Sequence, residues 1–467
     1  MKLTRFTLIA LVALPFAAGC SDTPLTPGNE ASSPSFARAS AGLSVGDTYI
    51  LTAGRWTARQ TREVEKLGGE VIFSHEADGV AVVRSADPDF LVAAERSNSF
   101  SGVAPDVMIQ GVKPVGLAEL EDAAPPAGAS FDPNDDTFYG FYQWNMRAVG
   151  ADAAWAEGCT GEGVRIAVLD GGISSGHLDI APNLDVAASA SFVPGYAFDE
   201  DDDTDDDGPF RHASHVAGIA AAPANGIGTI GVAPDATIVG VKVLHGGSGA
   251  FSWILQGIYY AATPVADGGA GADIINMSLG GTVQKNLPGA GQLVAAYNKA
   301  MNTAARNGVL VVSSAGNDYA DLDHNGNLIK IPAESGNGIA ISATAPNGYA
   351  VGATDFSSPA SYTNYGNSAI HVAAPGGDFD YPEYPTYLYD MILSPGAGTG
   401  TYYFAAGTSM SAPMVSGVAA LILGQHPDMS VGRLKTAIAR TADDEGEPGH
   451  DPYYGSGFVN AYKACTM

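Results

Sequence analysis

"VRIAVLD", residues 164–170, is a run of mostly branched apolar side chains that ends on a single carboxylate. Its apolar character is continuous rather than alternating, which fits a strand covered on both faces, as in a parallel sheet. Four similar runs follow: "TIVGVKVL" (237–244), "ADIINMSLG" (272–280), "GVLVVSSAGN" (308–317) and "GIAISATAP" (338–346). Helical patterns intervene at 212–222, 251–262 and 292–306, and a last one spans 409–425. Strands alternating with helices predict an α/β fold, a mainly parallel sheet between two helical layers. Functional residues in such sheets gather at the carboxyl ends of strands. Those ends here are Asp170, Gly280 and Asn317.

Three polar residues at element ends ask for a chemical reason. Asp170 closes a strand in "VLDGG", His212 opens a helix in "RHASHVAG", and Ser409 opens the last helix in "GTSMSAPMVSG". A serine hydroxyl is a weak nucleophile until a base takes its proton, and a histidine base works best when a carboxylate fixes its tautomer. A tetrahedral oxyanion also needs donors. Asn317 and the Ser409 N–H at a helix N-terminus are the candidates. Taken singly each residue reads blandly, as a turn residue, a packed histidine and a helix cap. Their joint occurrence points to nucleophilic catalysis.

The 467 residues carry a formal charge of −28, and no Lys/Arg-rich tract occurs, which disfavours a nucleic-acid partner. Eight carboxylates crowd into residues 199–207. At the N-terminus Lys2 and Arg5 precede an apolar run, 6–16, too short to span a bilayer. Residues 1–19 therefore read as a signal peptide, and the chain as exported, to the cell envelope or beyond. Of the three cysteines, Cys159 and Cys465 form one disulfide or stay as two free buried thiols.

Residues 20–45, rich in Ser, Pro, Thr and Ala, read as a flexible tether. Residues 46–111 run strand, helix, strand, strand, helix, strand, a small α+β unit. Residues 112–134 read as an exposed linker, and 135–467 hold the alternating pattern.

From about Asp135 to Val459 the ordered motifs resemble the subtilisin-like serine proteases, the subtilases, whose catalytic order is Asp, His, Ser. The resemblance implies the subtilisin-like three-layer fold. It makes Asp170, His212 and Ser409 the triad and Asn317, in "SSAGN", an oxyanion donor. "KVLHGGSGAFSWILQGI" (242–258) and "INMSLGG" (275–281) resemble the two substrate-binding strands, which implies peptide contacts from Gly247, Ser248, Gly249, Ser278, Leu279 and Gly280. Ala315 and Gly316 then wall the primary pocket. Pro413 is expected in the first helical turn, where a missing N–H costs little. The chain departs from the family at Ala213 and Ser214, where Gly and Thr are usual, and at Gly171, commonly Thr or Ser.

The same resemblance makes 46–111 a propeptide, an inhibitor and chaperone of its own enzyme. It implies a structural Ca²⁺ held by Asp135, Asp179 and Asn225, with the acidic run 199–207 as a second candidate or a solvated loop. "AAGC", 17–20, resembles a lipoprotein signal, which would attach a membrane lipid to Cys20. The expectation is thus a monomeric serine endopeptidase made as a zymogen, acting on proteins or peptides. The rivals are a non-catalytic binding protein and an esterase on the same scaffold.

Overall fold

The apolar runs form the middle of an eight-stranded sheet. In the computed structural model, which describes residues 44–120, 138–200, 210–346, 348–349, 352–379 and 387–467, the sheet order is Ser358–Pro359, Ile339–Ala345, Leu310–Ser314, Ile274–Met277, Arg165–Asp170, Thr237–Lys242 and Ala190–Ser191. Ile370–Pro375 also pairs with Ile339–Ala345. All these pairings are parallel except that of the two-residue Ser358–Pro359 strand.

The period of two explains the layers. Ile166, Val168, Ile274 and Val312 point into one core with the helices His212–Ala221 and Thr408–Gln425. Their neighbours Ala167, Leu169, Ile275 and Val311 point into the other, with Phe251–Ala262 and Ala290–Arg306. Both faces are covered, so the strands need apolar residues at every position. The expected α/β, three-layer architecture is what the chain forms. The predicted strands and helices recur within a few residues of their expected bounds.

The N-terminal unit has the expected element order: Ser44–Thr52, helix Ala58–Lys66, Glu70–His75, Val80–Arg84, helix Phe90–Glu95 and Gly102–Gln110. Its four strands are antiparallel, and the sheet continues into Ser248–Ala250 of the larger part. Thr57 begins the first helix with a capping box, bonded reciprocally with Gln60.

Two expectations need correction. Within the supposed exposed linker, Gly116–Glu119 is a strand antiparallel to Tyr402–Ala406, which in turn pairs with Ile392–Pro395. Its order comes from backbone bonds to that edge, which its Pro/Ala/Gly-rich composition does not reveal. Pro413 is the sixth residue of Thr408–Gln425, beyond the first turn.

The sulfurs of Cys159 and Cys465 are bonded, with Cα atoms 6.1 Å apart, which ties the region after Ala151–Ala156 to the helix Ala461–Cys465. Among the described residues no helix is long and apolar enough to cross a membrane. Cys20, Asp135 and most of the acidic run lie outside the described residues.

Candidate active site

Asp170 is the last residue of its strand and is nearly inaccessible, with 1% of its surface exposed. Its carboxylate accepts the Gly171 N–H at 2.7 Å, so the residue after the aspartate still supplies a donor through its backbone. His212 Nδ1 lies 2.9 Å from Asp170 Oδ2 and 3.0 Å from Oδ1. With Nδ1 protonated, the pair leaves Nε2 as the basic nitrogen. Ser214, one of the unusual residues of the histidine motif, accepts the Ser174 N–H at 2.8 Å and so pins this helix to the segment after Asp170. His215, one residue further on, donates to the Ile392 and Tyr403 carbonyls. Complete burial pushes its pKa down to about 3, so it is neutral and structural.

Ser409 is the second residue of its helix. Its hydroxyl lies 3.3 Å from the Ser278 carbonyl and 3.4 Å from the Val112 carbonyl. Pro413 lacks the N–H that would bond the Ser409 carbonyl four residues back. The Ser278 hydroxyl takes that role, donating to the Ser409 carbonyl at 2.8 Å. Asn276 Nδ2 donates to the Ser278 hydroxyl, and the Ser416 hydroxyl donates to Asn276 Oδ1. The strand Ile274–Met277 and the serine helix are thus tied by side chains on both sides of the proline.

Asn317 is fixed from behind. Its Oδ1 accepts the Thr408 N–H at 3.0 Å and the Thr408 hydroxyl at 2.8 Å, while Thr408 Oγ1 accepts the Gly316 N–H. Asn317 Nδ2 is left facing the cleft and donates to the Lys113 carbonyl at 3.0 Å. Asn364, which sequence reasoning missed, accepts the Asp318 and Ala320 N–H groups and donates to the Ala315 carbonyl. It is fully buried, and nothing around it in the sequence marks it. Ala315 and Gly316 are themselves buried and make these internal contacts.

The cleft is filled by the chain itself. Met108, Ile109 and Gln110 pair antiparallel with Ala250, Gly249 and Ser248, and the Gly111 N–H donates to the Gly247 carbonyl at 2.7 Å. Gly249 keeps its strand close to Val243, whose carbonyl oxygen a Cβ there would meet at 2.2 Å, and on the peptide itself a Cβ on Gly111 would stand 3.1 Å from the Gly247 carbonyl oxygen. On the other wall Ile109 and Leu279 belong to the same buried apolar cluster, and a Cβ on Gly281 would meet Ile109 Cγ2 at 2.8 Å. A Cβ on Gly280 would lie 3.7 Å from Val112 Cγ2. The sequence-predicted strands 247–249 and 278–280 therefore flank one extended peptide whose Val112 carbonyl lies at Ser409.

Asp179 and Asn225 meet, with Asn225 Nδ2 3.2 Å from Asp179 Oδ1. Asp179 Oδ2 accepts from the Thr229 N–H, the Thr229 hydroxyl and the Tyr402 hydroxyl. Burial raises the pKa of this carboxyl, and the donors offset part of the shift. Among the described residues no group of three or more His, Cys, Asp or Glu side chains converges as a metal site.

Comparison with known proteins agrees with this geometry. The model of the family described as "Subtilase family" matches residues 161–457. Subtilisin NAT of Bacillus subtilis subsp. natto is 34% identical over 323 residues, covering 69% of this chain and 71% of that protein. M-protease of Shouchella clausii is 37% identical, covering 69% of each. Among solved structures, the epidermin leader peptide processing serine protease of Staphylococcus aureus superposes with a TM-score of 0.70, over 90% of this chain and 98% of that one, at 21% identity. The fold, the matched span and these identities agree: the chain belongs to the subtilase family and is a serine endopeptidase acting on proteins or peptides.

Proposed function

We propose that the chain is the zymogen of an exported serine endopeptidase that cuts itself between Val112 and Lys113. One observation carries this reading: the chain's own backbone lies in the cleft in an extended register that leaves the Val112 carbonyl oxygen 3.4 Å from the Ser409 hydroxyl. Ser409 Oγ attacks the Val112 carbonyl carbon, and His212 Nε2 takes the hydroxyl proton while Asp170 stabilises the imidazolium. Asn317 Nδ2, held at the next carbonyl in the intact chain, turns to donate to the Val112 oxyanion together with the Ser409 N–H. The intermediate collapses as His212 gives its proton to the Lys113 nitrogen, and the amine leaves. Water, deprotonated by His212, then releases the Val112 carboxylate and restores Ser409. Substrates in trans follow the same path, with broad preference because main-chain pairing reads little of the side chains.

In this reading residues 46–112 are the propeptide. Its tail Ile109–Val112 inhibits until it is released. A lipid on Cys20 would remain with the propeptide fragment, so the cut would free the catalytic part from the membrane. The Cys159–Cys465 bond suits an exported protein. Wild type and Ser409→Ala, expressed side by side, test the proposal. Ser409→Ala stays full length and sediments with membranes, and wild type yields a soluble product whose N-terminal residue is Lys113. A Ser409→Ala chain that is still cut would refute the nucleophile. A soluble full-length Ser409→Ala would refute the anchor alone.

A structural Ca²⁺ is a further part of the proposal. Asp179 and Asn225 are adjacent, with Asn225 Nδ2 toward the carboxylate and its Oδ1 accepting the Ile227 N–H, and Asp135 is the third ligand proposed. Turning the Asn225 amide would present its oxygen instead of its N–H to an ion beside Asp179. The group would act on stability alone. The melting temperature of the mature enzyme should fall with chelator and recover with Ca²⁺, and no response would exclude the site.

A further inference from the structure

Beyond Lys113 the chain leaves the nucleophile along a surface that the motifs do not mark. The Val115 N–H donates to the Ala406 carbonyl at 2.8 Å, and the Leu120 N–H donates to the Tyr402 carbonyl at 2.9 Å. Between them Gly116, Leu117, Ala118 and Glu119 stand opposite Ala406, Ala405, Phe404 and Tyr403. The other edge of Tyr402–Ala406 is taken by Ile392–Pro395. Only Gly407 and Thr408 separate this strand from Ser409. A polypeptide held at Ser409 therefore meets the open edge of Tyr402–Ala406 as soon as it leaves the scissile bond.

The side chains of the bound segment alternate as a strand requires. Ala118 and Leu120 pack against a cluster that includes Met391, Leu393 and Phe404, and Leu117 packs against the main core on the other side; Val115, just before the strand, joins the first cluster outside this alternation. At Gly116 a Cβ would stand 2.7 Å from Met391 Sδ and 3.1 Å from Phe379 Cβ, so a larger residue requires the Met391 side chain to shift.

Resting on Val112–Lys113 as the bond cut, we infer that the Tyr402–Ala406 edge is a second peptide-binding strand of the protease. It binds the leaving half of an extended polypeptide from its third to its eighth residue, the span that Val115–Leu120 occupies, and selects glycine at the fourth. Once the chain's own segment is displaced, the edge presents unpaired N–H and C=O groups, the condition for strand addition. Main-chain pairing there is sequence-tolerant, and Met391 and Phe379 beside Gly116 supply a steric filter. The enzyme is therefore built to grip both halves of its substrate, which favours long extended polypeptides over short peptides.

The test uses matured wild-type enzyme and peptides that copy residues 109–114, 109–117 and 109–120, with an anilide of residues 109–112 as control. Each added backbone hydrogen bond strengthens binding of the leaving half, so kcat/KM should rise about tenfold or more from the shortest peptide to the longest. N-methylation of the third leaving residue should remove much of that gain. Valine in place of the fourth residue should remove it too, and Met391→Ala should restore it. Equal kcat/KM for all three peptides, or no effect of valine, would overturn the inference, including the case in which the chain's own strand never leaves the edge. The anilide has no leaving peptide and reads the catalytic centre alone. Hydrolysis of the anilide with no length dependence would sink only this inference, and failure to hydrolyse it would sink the assignment of the catalytic residues.

Discussion

Asn317 has only one direction in which to work. Its oxygen is committed to Thr408 by two hydrogen bonds, so the amide nitrogen must face the peptide. Asn317→Ala should lower kcat about a hundredfold or more with little change in KM, because the donor acts on charge that exists only in the transition state. An unchanged kcat would remove Asn317 from the mechanism. Thr408→Val deletes the hydroxyl but keeps the Thr408 N–H bond to Asn317, so a smaller loss of kcat is the expected outcome in the same assay. The parts of the site legible in the sequence are of this kind. Asp170, His212, Asn317 and Ser409 sit in short motifs at element ends, where local spacing already carries the chemistry. Asn364 was not legible, because its partners at Ala315, Asp318 and Ala320 are brought to it only by the fold.

At the scale of elements, the serine helix raises a question that its sequence alone answers wrongly. A proline in the first turn would cost nothing, but Pro413 lies further in and strips the Ser409 carbonyl of its helical donor. The Ser278 hydroxyl replaces that donor from a neighbouring segment. Ser278→Ala should therefore leave a buried carbonyl unsatisfied and lower stability by about 1–3 kcal/mol. Pro413→Ala supplies the missing N–H within the helix. In the Ser278→Ala background it should recover much of the loss. Denaturation of the four proteins of this cycle, each in a Ser409→Ala background to prevent self-cleavage, measures the coupling. Strictly additive effects would show that the carbonyl does not link the two residues. Buried strands and amphipathic helices were legible because burial imposes an apolar pattern on the sequence. Gly116–Glu119 was not, because it is ordered by pairing with Tyr402–Ala406, and backbone pairing leaves little trace in side-chain type.

On the scale of the whole molecule, the N-terminal unit is held to the larger part by two carboxylates besides the tail in the cleft. Asp78 accepts from the Tyr259 and Thr303 hydroxyls and from Arg306, while Lys299 donates to its carbonyl. Asp106 accepts the Ser252 N–H at 3.1 Å and so caps the helix Phe251–Ala262, whose own N-cap position is an alanine without a capping side chain. Burial, only partly offset by the Ser252 and Val107 bonds, raises the pKa of Asp106 to about 6. In a released N-terminal fragment the same carboxyl would return to its ordinary range near 4. The docked state thus binds the proton more tightly, and docking takes one up. Retention should be strongest below about pH 4, weaken as pH rises toward 6, and level off above it. Two units correspond to at most about a hundredfold in affinity. Asp106→Asn keeps an acceptor for Ser252 and cannot ionise, so its retention should lose this pH dependence and stay tight at neutral pH. Asp78→Ala, by contrast, should speed release at every pH. The rate at which protease activity appears after the cut, followed from pH 4 to 8 for the three proteins, reads these outcomes directly. If Asp106→Asn and wild type share one pH profile, Asp106 does not set the retention of the fragment.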